Sequence, residues 1–329
     1  RRGSLMAGFG EMKEEQITNE QKKVLKDTPA SKRTDADPYA ALREEYKILS
    51  ENRPKTHCFM GIIGHENTGK SAIVLDFYQK YCDKQTKAEK PIKDLWIIDF
   101  DGGGAASKSA YYAGNDNIKC WEPWVMLEID RTAYNYPETH DRVMSIMQYA
   151  LAEQGNLWGV HITGVDLWDS VAMNCMRIVD LGLSKDGIEA ADNRGIGANE
   201  RVGHQWDWSV RTTRFHQLTA MSRALVKRGV RIFWETHLKK TNYSGGTNEV
   251  GAPWRPVWEK STNNYLFQIV LCERTDVKDD DGEVIRSDFT ATFEKSKTNS
   301  KLQGQKSTIL ITEQGKDPNW MGLPEMERI

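Results

Sequence analysis

The chain has 329 residues, with 45 Lys and Arg against 47 Asp and Glu, a formal net charge of −2, and 39% hydrophobic and 28% charged residues. This balance fits a folded globular chain and excludes a disordered one or a polybasic protein that coats nucleic acid by charge alone. No run approaches the ~20 apolar residues that a spanning helix needs. Cys58, Cys82, Cys120, Cys175 and Cys272 are widely spaced, odd in number and form no C-x-x-C pair. Free buried thiols in a reducing cytoplasm are therefore expected, rather than a disulfide frame or a zinc site. The five residues ahead of Met6 carry no apolar signal core and read as a remnant before a natural start, so secretion is not expected.

Residues 1–55 are polar and charged and read as a flexible arm, with a possible docking helix over Ala40–Ser50, where Leu42, Tyr46 and Leu49 fall at helical spacing. The folded core is expected over 56–312 and a short tail over 313–329. His57–Ile63 is an apolar run that predicts a buried strand, and the segment from Ser71 carries Ile73, Val74, Phe77 and Tyr81 at helical spacing. Leu95–Phe100 predicts a second strand, ended by Asp101 and three glycines, and a helix is expected between His140 and Gln154. The segment LWGVHITGVDLW predicts a third strand region. A long polar stretch, about Gly182–Gly203, follows and reads as a functional loop. A helix is expected over roughly Trp208–Arg228 and a fourth strand over VRIFWETHL. A second Gly- and Pro-bearing loop is then expected from Lys239 to about Asn263, before three strand-like segments with no helix between them. The order implies an α/β fold with a mostly parallel central sheet flanked by helices and antiparallel strands at the C-terminal edge.

Between the first strand and the first helix, Gly64-His65-Glu66-Asn67-Thr68-Gly69-Lys70-Ser71 matches G-x-x-x-x-G-K-[ST], with Ala72 continuing into the helix. In this motif the glycines let the backbone wrap a phosphate chain, whose charge meets amides at a helix N-terminus. Lys70 would reach the β- and γ-phosphates and Ser71 would hold Mg²⁺ through its hydroxyl. Hydrolysis further requires carboxylates to orient water and support the metal. Asp99 and Asp101 stand at the end of the second strand, and Asp166 and Asp169 in GVDLWDS.

The order of these pieces resembles the core of RecA/RadA recombinases, from about Cys58 to Ile311. The resemblance implies a RecA-like P-loop fold that binds ATP. It implies Asp101 as the base that polarises water, and Asp169 or Asp166 as metal support beside Ser71. It also implies His237 as the γ-phosphate sensor, with Lys295 and Lys297 of FEKSK reaching a neighbouring subunit's ATP. The acid at the base position is one methylene shorter than the family's usual Glu, and His237 stands where Gln is more usual. In size and style the chain is similar to compact RecA-like ATPases that phages encode, which would place it in host cytoplasm. Neither an N-terminal nor a C-terminal DNA-binding domain of the family is recognisable.

The second loop, from His237 to Thr262, holds Lys239, Lys240, Arg255 and Lys260 against Glu249 and Glu259, together with Tyr243, Trp254 and Trp258. Cations interleaved with aromatic faces suit single-stranded DNA, since every base offers a π-face and every nucleotide a phosphate. Lys239, Lys240, Trp254, Arg255 and Trp258 are thus the candidate DNA contacts. The first loop has only Lys185, Arg194 and Arg201 among several acids. The expected function is a Mg²⁺-dependent ATPase that assembles as a homo-oligomer on single-stranded DNA and promotes recombination or annealing, with ATP at the subunit junction. The alternatives are a ring-forming DNA motor on the same core, a small-molecule kinase, and a nucleotide-gated adaptor that does not hydrolyse.

Overall fold

A computed structural model describes residues 58–127, 133–177, 207–240 and 254–323. Contacts divide the chain into Arg1–Arg53 and Pro54–Ile329, and all described residues belong to the second unit. The expected arm and its helix at Ala40–Ser50, the loop at Gly182–Gly203 with Lys185, Arg194 and Arg201, and Tyr243 lie outside the described residues.

The expected α/β fold is present. Strands β1 (Phe59–Gly64), β2 (Asp94–Asp99), β3 (Ile118–Trp121), β4 (Leu157–Thr163), β5 (Arg231–Lys240) and β7 (Gln268–Lys278) run parallel, in the spatial order β3-β2-β4-β5-β1-β7. The antiparallel strands β8 (Val284–Ser296), β9 (Lys306–Glu313) and β10 (Asn319–Trp320) extend the β7 edge. Residues 319–320, expected in a tail, thus close the sheet. β6 (Trp254–Pro256) pairs antiparallel with the far end of β5.

Alternation along the central strands fills two cores, one on each face of the sheet. Phe59, Ile63, Trp96, Ile98, Ile232 and Trp234 face helices α3 (Tyr136–Ala152), α4 (Val165–Cys175) and α5 (Asp207–Lys227). Met60, Ile62, Leu95, Ile97 and Phe233 face the side of helix α1 (Lys70–Lys87). Helix α2 (Gly103–Tyr111) lies against α1 and β2. The start of α3 is fixed by Asn135, whose side chain accepts from the Glu138 amide, with a proline in the first turn.

Three expectations shift. The third strand ends at Thr163, and Val165 already begins α4, so Asp166 and Asp169 are helical rather than on a strand or its turn. Gly164, at φ 59°, makes that abrupt strand-to-helix change possible. β5 runs on to Lys240, so the second loop is zipped at its base by β5 and β6. β3, which no expectation covered, completes the sheet's far edge, and α2 leads into it from β2.

Candidate functional site

β1 lies between β5 and β7, while the chain leaves it for β2 three places away. That reversal opens a crevice at the carboxyl ends of the strands, the usual ligand site of open α/β sheets. The phosphate-loop motif fills the crevice between β1 and α1. Both signature glycines are needed there. A Cβ on Gly64 would come within 2.6 Å of the Cys272 carbonyl oxygen and of Thr68 Oγ1, and Gly69 caps α1 at φ 79°. Asn67, at φ 57°, supplies another left-handed residue in the wrap.

Within the loop, Thr68 Oγ1 and Lys70 Nζ both donate to the His65 carbonyl, each at 2.8 Å. Ser71 Oγ donates to Glu235 Oε2 at 2.8 Å, and Lys70 Nζ stands 3.9 Å from Glu235 Oε1. His161 Nε2 lies 3.2 Å from Glu235 Oε2 and, facing a carboxylate, donates to it. Glu235 is almost completely buried. Burial pushes its carboxyl up, but the hydrogen bond and charge of His161, the charge of Lys70 and the bond from Ser71 outweigh that and hold it below the usual range. It is therefore ionised at neutral pH, beneath the phosphate loop.

Glu235 escaped the sequence reading, which took from IFWETHL only its penultimate polar residue. A signal existed: an acid in an apolar strand that pairs with β1, two residues before His237 and so on the same face.

A cavity of about 560 Å³ opens in front of this group, lined by the loop, Asp101, Glu235 and His237 and also by Tyr111, Arg274, Phe289 and Trp320. Asp101 is exposed there and accepts from the Gly103 amide at 3.0 Å. Asp99 is differently employed. Buried at the end of β2, it accepts from the Gly104 and Ala105 amides and from Thr163 Oγ1, which ties the start of α2 to β4. His237 pairs with Gly64 in the sheet register, and its Nδ1 lies 3.4 Å from Asp166 Oδ2. The Asp166 hydrogen bond raises the His237 imidazolium above its ordinary range, against burial and the charge of Lys70.

The structure therefore brings Lys70, Ser71, Asp101 and His237 together, and Asp166 reaches the site through His237. Asp169 is elsewhere: its carboxylate pairs with Arg211 of α5, because α4 turns it toward α5. The carboxylate that touches Ser71 is Glu235 rather than Asp166 or Asp169.

Lys295 and Lys297 lie outside this cavity. They donate to the carbonyls of Asn263 and Asn264 in the single-turn helix α6 (Thr262–Tyr265). Burial, and then the charge of Lys297, lower the Lys295 ammonium.

At the base of the second loop, Lys239 and Lys240 are exposed and pair across the ribbon with Arg255 and Trp254. Trp254 is 49% exposed. Trp258, expected to offer a stacking face, is buried at 9% exposure. Its indole donates to Asn263 Oδ1 and its ring packs on β1 at Gly61, where a Cβ would come within 2.6 Å of the indole. Trp258 is a core residue because Gly61 leaves it room, which corrects the expectation.

No family model matches the sequence, and no curated protein matches it. Among solved structures, the KaiC-like protein PH0186 from the hyperthermophilic archaeon Pyrococcus horikoshii OT3 is similar over 76% of this chain and 84% of that chain. The identity is 9% and the TM-score 0.37.

Proposed function

We propose that the chain is a RecA-like, Mg²⁺-dependent ATPase that assembles on single-stranded DNA and promotes recombination or annealing. The observation that carries the reading is the convergence of Lys70, Ser71, Asp101, Glu235 and His237 on one cavity behind a phosphate loop.

Each side chain has a role that its contacts allow. Lys70, held on the His65 carbonyl, is within reach of the loop's interior and exchanges that carbonyl for phosphate oxygens. Ser71 donates its hydroxyl hydrogen bond to Glu235, which leaves the oxygen lone pairs free for a cation. One hydroxyl with a carboxylate behind it fits Mg²⁺, which keeps most of its waters and rides with the phosphates. When bound, Mg²⁺ neutralises charge developing on the β- and γ-phosphate oxygens. Asp101, exposed on the cavity, accepts the proton of the attacking water. With Nδ1–H donated to Asp166, His237 keeps Nε2 for a γ-phosphate oxygen. Also lining the cavity, Tyr111 and Trp320 pair edge to face with centroids 6.1 Å apart and offer apolar ring surface to a nucleobase.

Exposed Lys239, Lys240, Arg255 and Trp254 form the single-strand-binding face. Lys295 and Lys297, two ammonium groups side by side outside their own cavity, suit an anion brought by a second subunit, the role that the recombinase resemblance implies. The test is ATP hydrolysis with and without single-stranded DNA, with Lys70→Ala as the blank. Stimulation by single strands, reduced in Trp254→Ala, is expected. Robust hydrolysis indifferent to DNA overturns the DNA-linked reading.

A further inference from the structure

The phosphate loop and the single-strand-binding ribbon touch. Trp254 sits edge-on to the imidazole of His65, with ring centroids 4.3 Å apart and planes at 86°. Lys240, its cross-strand partner, holds its ammonium 5.4 Å from the Trp254 ring centroid. His65 is the first residue after Gly64, and its carbonyl is the atom on which both Thr68 Oγ1 and Lys70 Nζ rest. One residue thus carries, on its backbone, the ammonium that a nucleotide must recruit and, on its side chain, the exposed indole of the second loop.

We infer that His65 is a positioning residue through which phosphate binding sets the single-strand-binding face. This deepens the proposed function and rests on Trp254 and Lys240 meeting DNA. In the structure, Lys70 holds the His65 carbonyl and Trp254 leans on the His65 ring. When Lys70 turns to the β- and γ-phosphates, the His65 carbonyl keeps only the Thr68 donor, so the loop backbone at His65 is held less tightly. A shift of the His65 Cα carries the ring with it. Trp254 then loses its edge-to-face contact, and its indole and the Lys240 ammonium over it are released to reorient toward a base and a phosphate. Linkage is reciprocal, so DNA that takes Trp254 away from His65 must tighten nucleotide binding by the same factor. An edge-to-face aromatic pair is worth about a two- to tenfold change in an equilibrium constant, which bounds the effect.

The full-length protein is tested in two arms. In the first, without DNA, amide hydrogen exchange of Lys240, Trp254 and Arg255 is compared with and without AMP-PNP and Mg²⁺. The second measures anisotropy of a fluorescein-labelled oligodeoxythymidylate in the same two states. Wild type and His65→Phe, which keeps a ring, should show nucleotide-dependent exchange and a two- to tenfold ratio of DNA affinities. In His65→Ala that ratio should fall to about one, whatever the absolute affinities become. A ratio that survives in His65→Ala, or is lost in His65→Phe, overturns the role of His65. Wild type that binds the oligonucleotide equally in both states overturns the link and leaves the DNA reading standing. A nucleotide response in exchange with no oligonucleotide bound overturns the DNA reading and supports the contact as a nucleotide-driven device.

Discussion

Replacing Glu235 with Gln keeps the volume of the side chain and removes its charge. In the native site that charge faces Lys70 Nζ at 3.9 Å, with the two side chains only 4% and 5% exposed, so solvent screens the pair weakly. At an effective dielectric of about 20 the attraction is about 4 kcal/mol. The Lys70 ammonium retains the His65 carbonyl, and the Gln carbonyl can still accept from Ser71. The stability lost therefore falls at the low end of the range for breaking a buried pair, about 3 kcal/mol. Urea denaturation of the nucleotide-free protein measures it directly. A second consequence separates a metal-side role from a merely structural one. If Glu235 orients Ser71 toward Mg²⁺, the gain in nucleotide affinity on adding Mg²⁺ should shrink by about tenfold or more in Glu235→Gln, as for other residues behind a metal ligand. Calorimetric titration with and without Mg²⁺ reads that gain. A variant as stable as wild type, with the Mg²⁺ gain intact, would refute the reasoning on both counts.

Asp101→Asn should lower kcat by about 10²-fold or more while nucleotide affinity changes little, because Asp101 faces the cavity and is not part of the phosphate wrap; normal turnover would place the base elsewhere. Trp258→Ala should cost about 3–5 kcal/mol in denaturant unfolding. Trp254→Ala, at a half-exposed site with one ring contact to lose, should cost about 1 kcal/mol, and equal costs would contradict the assignment of one to the core and the other to the surface. Native protein at pH 8 should consume one equivalent of a thiol reagent rapidly, at exposed Cys120, and five after unfolding. Burial pushes the Cys58 thiol up to about 12 and raises Cys272 as well, so neither offers thiolate at that pH. Rapid loss of more than one thiol would show that the core opens.

The elements that were legible were those whose pattern is local. Continuous apolar runs made β1, β2 and β5 readable, because each is packed on both faces. The phosphate loop was legible because its chemistry is consecutive in sequence: two glycines for the wrap, a lysine and a hydroxyl at the head of α1. Asp101 and His237 were found because they follow apolar strands at the sheet's carboxyl edge. β3, four residues at the sheet's far edge with two of them exposed, carried too little pattern to read. The end of β4 was misplaced because GVDLW continues the hydrophobicity of the strand, and only the left-handed turn at Gly164 sends it into a helix.

By itself, then, the sequence determined the α/β class, the phosphate-loop motif and several of the residues that line the cavity, since these depend on spacing along one chain. Tertiary structure alone decided which carboxylate lies against Ser71. β4 and β5 insert between β1 and β2, so the acid that reaches the loop is Glu235, 164 residues away on the strand beside it, rather than either Asp of α4. Tertiary structure also separated the two tryptophans of one loop. Trp258 is buried because Gly61 of β1 leaves a space for an indole, and Trp254 stays at the surface because β6 holds it against His65. Neither neighbour is close in sequence, so no local pattern could have distinguished them.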